Sequence, residues 1–315
     1  MRSISIDDLT LPEKVNWLQY AIAPRPIALA STVDKGGNNN LSPFSFFNLF
    51  SYNPPIVIFS AARRGRNNTD KHTLENINAV PEVAINICDY AIVQQVSLAS
   101  SEYEKDIDEF IKAGFSKLPS IHITPPRVKE AKVQMECKVV EVKSLGDTGG
   151  AGQLIIAEVL CMHVDENILN DDGTMIDQTR LHHVARLGGN WYCRVDESNL
   201  FQVTKPGREL GIGIDTLPES IRMSNILTGN NLAQLAHVKE LPFIDAAFED
   251  EQLKNIIQYY AVNPDEMETE LHRYAKQLLD ANKVHDAWQV LLSSVCSGKS
   301  HRNRFFIVLA PVFQR

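Results

Sequence analysis

Between Ser42 and Tyr52 the chain crowds four phenylalanines, a tyrosine and three serines. Just downstream, Ala61 to Asn76 sets Arg63, Arg64, Arg66 and Lys71 against Asp70 and Glu75. That is four minus two, a formal charge of +2, within a chain whose total is −8. Converging cations and backbone N–H groups turn such a loop into a phosphate site. Thr69 or Asp70 is expected to cap a helix starting near Lys71, and a helix N-terminus adds partial positive charge where a phosphate would sit. The competing reading is a solvated basic loop.

In Ser45-Phe46-Phe47-Asn48, small polar side chains let a planar ligand approach the backbone, whose N–H and C=O groups meet its polar edge. Aromatic neighbours exclude water and supply apolar area. Pro54-Pro55 donates no ladder bonds, so it ends one strand and starts the next. A planar ring on one side and a phosphate on the other describe flavin mononucleotide (FMN). A Phe-rich core at a sheet corner accounts for the same residues without a ligand, and on residues alone the two readings stand level.

Other motifs carry less. Ser297-Gly298-Lys299-Ser300 ends like a P-loop, but the earlier glycine that motif requires is Ser293. No G-x-G-x-x-G occurs, which argues against a Rossmann nicotinamide domain. His182 and His183 are adjacent, hence on opposite sides of a strand, and no carboxylate cluster accompanies them, so no metal site is expected. Asp165 to Asp172 lacks the alternating oxygen ligands of an EF-hand. No acid–base pair stands out as catalytic.

The elements that must position these residues are mainly strands up to about residue 205. Pro26 to Val33, Leu41 to Asn48, Pro55 to Ser60 and Val83 to Cys88 read as strands. Val133 to Leu145 alternates, with Val133, Met135, Cys137 and Val139 on the buried face and Gln134, Glu136 and Lys138 on the other. The turn GDTGGAG joins it to Gln153–Val164 as a hairpin. Helices are expected near Lys71 to Val80 and Glu104 to Ala113. Many strands with few helices between them indicate an antiparallel barrel. After Pro206, apolar residues recur at helical spacing: Leu253, Ile256, Ile257 and Tyr260; Leu271, Tyr274, Ala275, Leu278 and Leu279; Trp288, Leu291, Leu292 and Val295. Phe305 to Leu309 reads as a final strand. The expected division is residues 1–206, β-rich, and 207–315, an α-rich extension.

Hydrophobic residues make up 44% of the 315 and charged residues 22%, enough to bury a real core. The net charge of −8 argues against nucleic acid or an anionic membrane as partner. No apolar stretch approaches the ~20 residues that span a bilayer. The first residues, MRSISIDDLTLPEK, lack the apolar segment of a signal peptide. The five cysteines are scattered and never spaced C-x-x-C. Reduced, buried thiols in a cytoplasmic protein are therefore expected, and neither a disulfide framework nor a zinc site.

One combination of residues is family-specific. PRPIALASTVDKGG, NNNLSPFSFFNLFSYNPPIVIFS and DKHTLENI, followed by Gly114-Phe115, Pro126-Arg127-Val128, Glu136-Cys137 and Arg186-Leu187-Gly188-Gly189 with Tyr192, resemble the flavin reductase-like, FMN-binding split-barrel family. The resemblance runs from about Ala23 to Pro206. It implies a mainly β, Greek-key split barrel with peripheral helices, to which the α-rich extension is an addition. It also implies that Ser45, Phe46, Phe47 and Asn48 line the flavin ring and ribityl chain, that Ser60 and Ala61 continue that wall, and that Arg66, Lys71 and Thr73 hold the phosphate. His72 stands where the family commonly has Asp.

The activity implied is that of an FMN-dependent oxidoreductase, taking hydride from NADH or NADPH and delivering electrons to a flavin, an iron centre or a partner oxygenase. The alternative is an FMN-binding electron carrier of the flavoredoxin kind, with no nicotinamide oxidation of its own. The resemblance further implies a homodimer with the flavin at the subunit interface, where Tyr192 and the Arg186 segment reach the partner's site.

Overall fold

A computed structural model describes residues 1–105, 107–205 and 210–297, with the side chains of the last helix through Ser293. The expected strand at Phe305 to Leu309, the side chain of Val295 and most of the Ser297–Ser300 motif lie outside the described residues. The chain divides into two compact units, Met1–Phe201 and Gln202–Arg315.

In the first unit the strands are β1 (Arg25–Pro26), β2 (Ala28–Val33), β3 (Asn39–Phe44), β4 (Phe47–Tyr52), β5 (Pro55–Ser60), β6 (Glu82–Ile87), β7 (Lys117–Leu118), β8 (Arg127–Val128), β9 (Val133–Ser144), β10 (Gln153–Val164), β11 (Val184–Arg186) and β12 (Tyr192–Arg194). Helices α1 (Leu11–Ala21), α2 (His72–Ala79), α3 (Val93–Leu98), α4 (Glu109–Ala113) and α5 (Gln178–Leu181) accompany them. Seven strands form one antiparallel sheet in the order β3-β2-β6-β9-β10-β5-β4, and β1-β11-β12 form a small second sheet.

The two edge strands of the large sheet, β3 and β4, are consecutive in the chain, with only Ser45 and Phe46 between them. Edges joined by so short a link force the sheet to curl until they meet. No ladder joins β3 to β4 among the described residues, so the barrel is split along this seam. The single strand expected over Leu41 to Asn48 is therefore two. Local β-propensity runs straight through the phenylalanines, and closure of the barrel is what breaks the strand there.

Alternate residues of β2 enter two cores. Ala28 and Ala30 join Phe44, Val57, Phe59, Ile85 and Ile155 inside the barrel. Ile27 precedes Leu29 on the opposite side, where Leu41, Val96 and Phe110 pack. Burial on both faces explains the unbroken apolar run of β2.

Three expectations need correction. The helix over Glu104 to Ala113 contracts to α4, whose start is capped by Asp108 accepting from the Phe110 amide. Gln134 and Glu136, assigned to the exposed face of β9, are buried. Glu136 accepts from the Ile121 amide at 2.9 Å, the His122 amide at 2.6 Å and His163 Nε2 at 2.8 Å, while Gln134 bonds Arg127 and the carbonyls of Val128 and Ala131. The segment before β9 thus covers that face. Finally, α2 begins after Lys71, whose side chain makes no capping hydrogen bond. Asp70 is instead engaged by Arg63.

The second unit comprises α6 (Glu219–Arg222), α7 (Gly229–Ala236), α8 (Glu251–Tyr259), α9 (Pro264–Asp280) and α10 (Val284–Ser297). Leu271, Tyr274, Ala275, Leu278 and Leu279, one face of α9, are all buried with Leu253, Leu235, Trp288 and Leu291 in its own core. Trp288 Nε1 donates to the Leu235 carbonyl at 3.2 Å.

Candidate functional site

The seam carries most of the expected residues. Phe46 caps the turn between β3 and β4, its carbonyl accepting from the Ser60 amide at 2.8 Å. Its ring is 47% exposed, and the Arg25 guanidinium lies 6.0 Å from the ring centroid. Ser45 is half-buried beside it and Asn48 is exposed. Phe47 pairs with Phe59 across the β4–β5 ladder and packs against the barrel core. Ala61 is fully buried in that core, its amide donating to the Gln153 carbonyl at 3.1 Å. The side chains of Phe47 and Ala61 therefore serve the barrel core.

Ser60 is the unusual member. It is 9% exposed, and its Oγ has no hydrogen-bond partner. An unpaired buried hydroxyl costs free energy unless a ligand or water satisfies it. Gly152 keeps the space beside it open, since a Cβ there would stand 2.9 Å from Ser60 Oγ.

Beyond the seam lies a polar recess at the start of α2, lined by Asn40, Ser42, Arg64, Lys71, His72, Thr73, Ser100, Ser101, Glu102, Tyr103 and Glu109. The first amides of a helix point outward and carry partial positive charge. The N-cap residue of α2, Lys71, makes no side-chain capping bond, and a helix start of this kind suits an anion. The Lys71 ammonium is half-buried, 5.8 Å from the Phe44 ring centroid. No carboxylate lies within ion-pair distance of it among the described residues. Burial, and then the nearby Arg64 charge, lower its pKa below the usual lysine value. Two cations so placed favour an anion between them.

Arg66 sits differently from its expected role. Its side chain is 83% exposed and pairs with Glu102. Arg64, from the same loop, lines the recess in its place, held by the Asp70 carbonyl and by Thr69 Oγ. Thr73 is buried, its Oγ donating to Asn40 Oδ1 at 2.7 Å. Of the three expected phosphate ligands, Lys71 and Thr73 come together and Arg66 stands apart.

The turn of the β9–β10 hairpin carries the basic loop. Arg63 N donates to the Ala151 carbonyl at 2.9 Å, Gly150 N to the Arg63 carbonyl at 3.0 Å, and Asn68 Nδ2 to the Asp147 carbonyl at 2.8 Å. A Cβ at position 149 would sit 3.0 Å from the Gly65 carbonyl, so this close backbone approach depends on glycine.

Elsewhere, the Arg186 guanidinium covers the Tyr192 ring at 4.5 Å. Tyr192 also lines a second concavity of about 220 Å³ with Tyr90, Val93 and Val184. His182 adopts a left-handed conformation at the end of α5 and His183 is half-buried. No group of three potential metal ligands occurs among the described residues. Cys88 and Cys137 are buried and Cys161 and Cys193 half-buried, all as free thiols. Burial pushes the Cys88 and Cys137 thiols up to about 12. No described helix is long and apolar enough to cross a membrane.

Residues 20–184 match the model of the flavin reductase like domain family. An uncharacterised protein of Halalkalibacterium halodurans is 32% identical over 202 residues, which are 64% of this chain and 94% of that protein. Nitrilotriacetate monooxygenase component B from Bacillus cereus superposes with a TM-score of 0.60 at 29% identity, covering 64% of this chain and 98% of that one. A split-barrel protein from Shewanella frigidimarina superposes at 0.55 with 28% identity, covering 64% and 96%. The matched segment contains the seam, the basic loop, the recess and all seven strands of the large sheet, and the chain belongs to the flavin reductase-like family of split-barrel proteins.

Proposed function

We propose that the first unit binds FMN with its ring at the barrel seam and its phosphate in the recess at the start of α2, and oxidises NADH or NADPH. The observation that carries this reading is the pairing of a helix start that has Lys71 at its N-cap and Arg64 beside it with an orphaned Ser60 hydroxyl at the seam. These features fit FMN: cations and helix amides suit a phosphate, and an unpaired hydroxyl suits the polar part of the ligand.

Bound flavin supplies hydride acceptance and onward electron transfer, chemistry that belongs to the cofactor. The chain's part is binding and orientation. Lys71, Arg64 and the α2 amides hold the phosphate. Ser60 Oγ and the backbone of Ser45 to Asn48 present donors to the ring's polar edge and stabilise negative charge there. The Phe46 ring supplies apolar cover. No acid–base dyad is required of the protein; orientation of the two rings and these donors are its contributions to rate.

We assign a homodimer on the exposed apolar surface. No residue of α1 is buried, and Leu11, Trp17, Tyr20 and Ile22 are 43%, 48%, 57% and 63% exposed. Edge strand β4 leaves Leu49, Phe50 and Tyr52 in solvent as well. An open edge beside apolar surface of this kind calls for a covering partner. The likeness to a monooxygenase component supports an oxygenase as electron acceptor, with a flavin or iron acceptor as the other choices. Free thiols support a cytoplasmic setting.

The absence of a nicotinamide fingerprint from the sequence favours a second reading, an FMN-binding electron carrier that is reduced by another protein. Steady-state oxidation of NADH and of NADPH with added FMN separates the two. Turnover supports the oxidoreductase; FMN binding without turnover supports the carrier; no FMN binding refutes both.

A further inference from the structure

Three side chains at the recess form a chain of hydrogen bonds whose direction is set at its far end. Glu109, the first residue of α4, is 4% exposed and accepts from Asn40 Nδ2 at 2.9 Å and from the Leu41 amide at 3.0 Å. An ionised carboxylate only accepts. Asn40 must therefore turn its amide hydrogens toward Glu109 and its Oδ1 toward Thr73. Thr73 Oγ, in a residue 1% exposed, lies 2.7 Å from that Oδ1 and commits its hydrogen to it. A hydroxyl has one hydrogen. What Thr73 then shows the recess is a lone pair, which repels an anion.

We propose that Glu109 is a positioning residue that sets, through Asn40, whether Thr73 donates to an anion in the recess, so that anion binding is coupled to uptake of one proton by Glu109. With a proton from solvent on Oε1, the carboxyl O–H donates to Asn40 Oδ1. The amide turns over, Nδ2 donates to Thr73 Oγ, and the freed Thr73 hydrogen points into the recess. The Leu41 amide keeps Oε2 as its acceptor in both arrangements. The proposal rests on the reading of the recess as the flavin phosphate site.

The surroundings leave Glu109 poised for this exchange. Burial raises its pKa, with Asp108 acting in the same direction, while the Leu41 and Asn40 hydrogen bonds pull it back. Asp108 is itself paired with Lys117 from β7. From the other elements the groups sharing the recess are Lys71 and His72 at the start of α2, Arg64 of the basic loop, and Glu102 and Tyr103 after α3. Lys71 and Arg64 are the cations that an anion in the recess would meet. The anion's own negative charge disfavours a carboxylate on Glu109 and tips it toward the protonated form.

The test is the FMN-to-riboflavin affinity ratio of the full chain between about pH 7 and 8, where a phosphate monoester is largely doubly ionised. In the wild type the ratio falls as pH rises. Glu109→Gln donates permanently to Asn40, so it should bind FMN roughly tenfold tighter at about pH 8, the gain of one charge-assisted hydrogen bond, with riboflavin unchanged and the pH slope gone. A ratio independent of pH in the wild type, a slope that persists in Glu109→Gln, or a selective loss of FMN in that variant overturns the proposal. If Glu109→Gln does not fold, Thr73→Val takes its place; the relay requires the slope to vanish there, and a persistent slope overturns it. Lys71→Ala tests the underlying site separately. If that change leaves the FMN-to-riboflavin ratio intact, it is the phosphate reading that fails.

Discussion

Lys71 and Arg66 are both basic, five residues apart in one loop, and under the proposed phosphate site their different settings predict opposite weights. Lys71 is half-buried, beside Arg64 at the start of α2, without a carboxylate at ion-pair distance among the described residues. A charge-assisted hydrogen bond from such a group contributes about 1.5–3 kcal/mol. Lys71→Ala should then weaken FMN roughly ten- to a hundredfold and leave riboflavin, which lacks the phosphate, nearly unchanged. Arg66 is 83% exposed and already paired with Glu102, itself 52% exposed. Exposed pairs contribute about 0–1 kcal/mol, so Arg66→Ala should change FMN affinity by no more than a few fold. Flavin fluorescence titrations of wild type, Lys71→Ala and Arg66→Ala with both ligands, at low and moderate salt, measure this directly. Equal losses of FMN and riboflavin in Lys71→Ala, or an Arg66→Ala loss as large as that of Lys71→Ala, would refute the assignment of the recess.

Two further predictions test other parts of the molecule. Gly152→Ala puts a Cβ 2.9 Å from Ser60 Oγ, so the hydroxyl must move; overpacking of this kind costs about 1–3 kcal/mol, and the variant should lose affinity for riboflavin as well as FMN, read by the same titration. In the second unit, burial lowers the pKa of His272 against the opposing charge of Glu268, 4.0 Å from its Nε2, which has no hydrogen-bond partner among the described residues. The unfolded chain then takes up the proton first, so this contribution to stability is present above an unfolded pKa of about 6.5 and is lost as pH falls from there toward the folded value. Thermal melts should show the second unit weakening below about pH 6.5, and His272→Leu should flatten that dependence; an unchanged pH profile in the variant would contradict it.

The strongest sequence signals were local ones. The hairpin of β9 and β10 was legible to within a residue, because a glycine-rich turn separates two long runs of strand-forming residues. The endpoints of β5 were legible for a similar reason: Pro55 starts it, and the basic loop follows it. What escaped was decided by distant parts of the chain. Nothing in Leu41 to Asn48 announces a break at Ser45-Phe46; the break follows from β3 and β4 being opposite edges of one sheet. Gln134 and Glu136 read as solvent-facing because their partners, Arg127, His163 and the backbone of Ile121 and His122, come from other segments. In the site, Ser60 and Thr73 are reached through the resemblance, and Lys71 through the charge of the basic loop as well. Arg64 was present in the basic loop as a candidate, but choosing it over Arg66 requires the loop's conformation, held by the β9–β10 turn. Asn40 and Glu109 carried no sequence signal, since their meeting depends on the packing of α4 against β3.

The central claim is that the seam and the recess together hold FMN and that the bound flavin takes electrons from reduced nicotinamide. An anaerobic titration of the purified full chain with FMN, followed by NADH and NADPH, tests it most directly through the visible absorption spectrum. The account predicts flavin bands perturbed by binding at a stoichiometry of one per chain, which bleach on addition of reduced nicotinamide. Bands that shift but persist would contradict the oxidoreductase and leave the carrier. A spectrum of free FMN throughout would contradict the account as a whole.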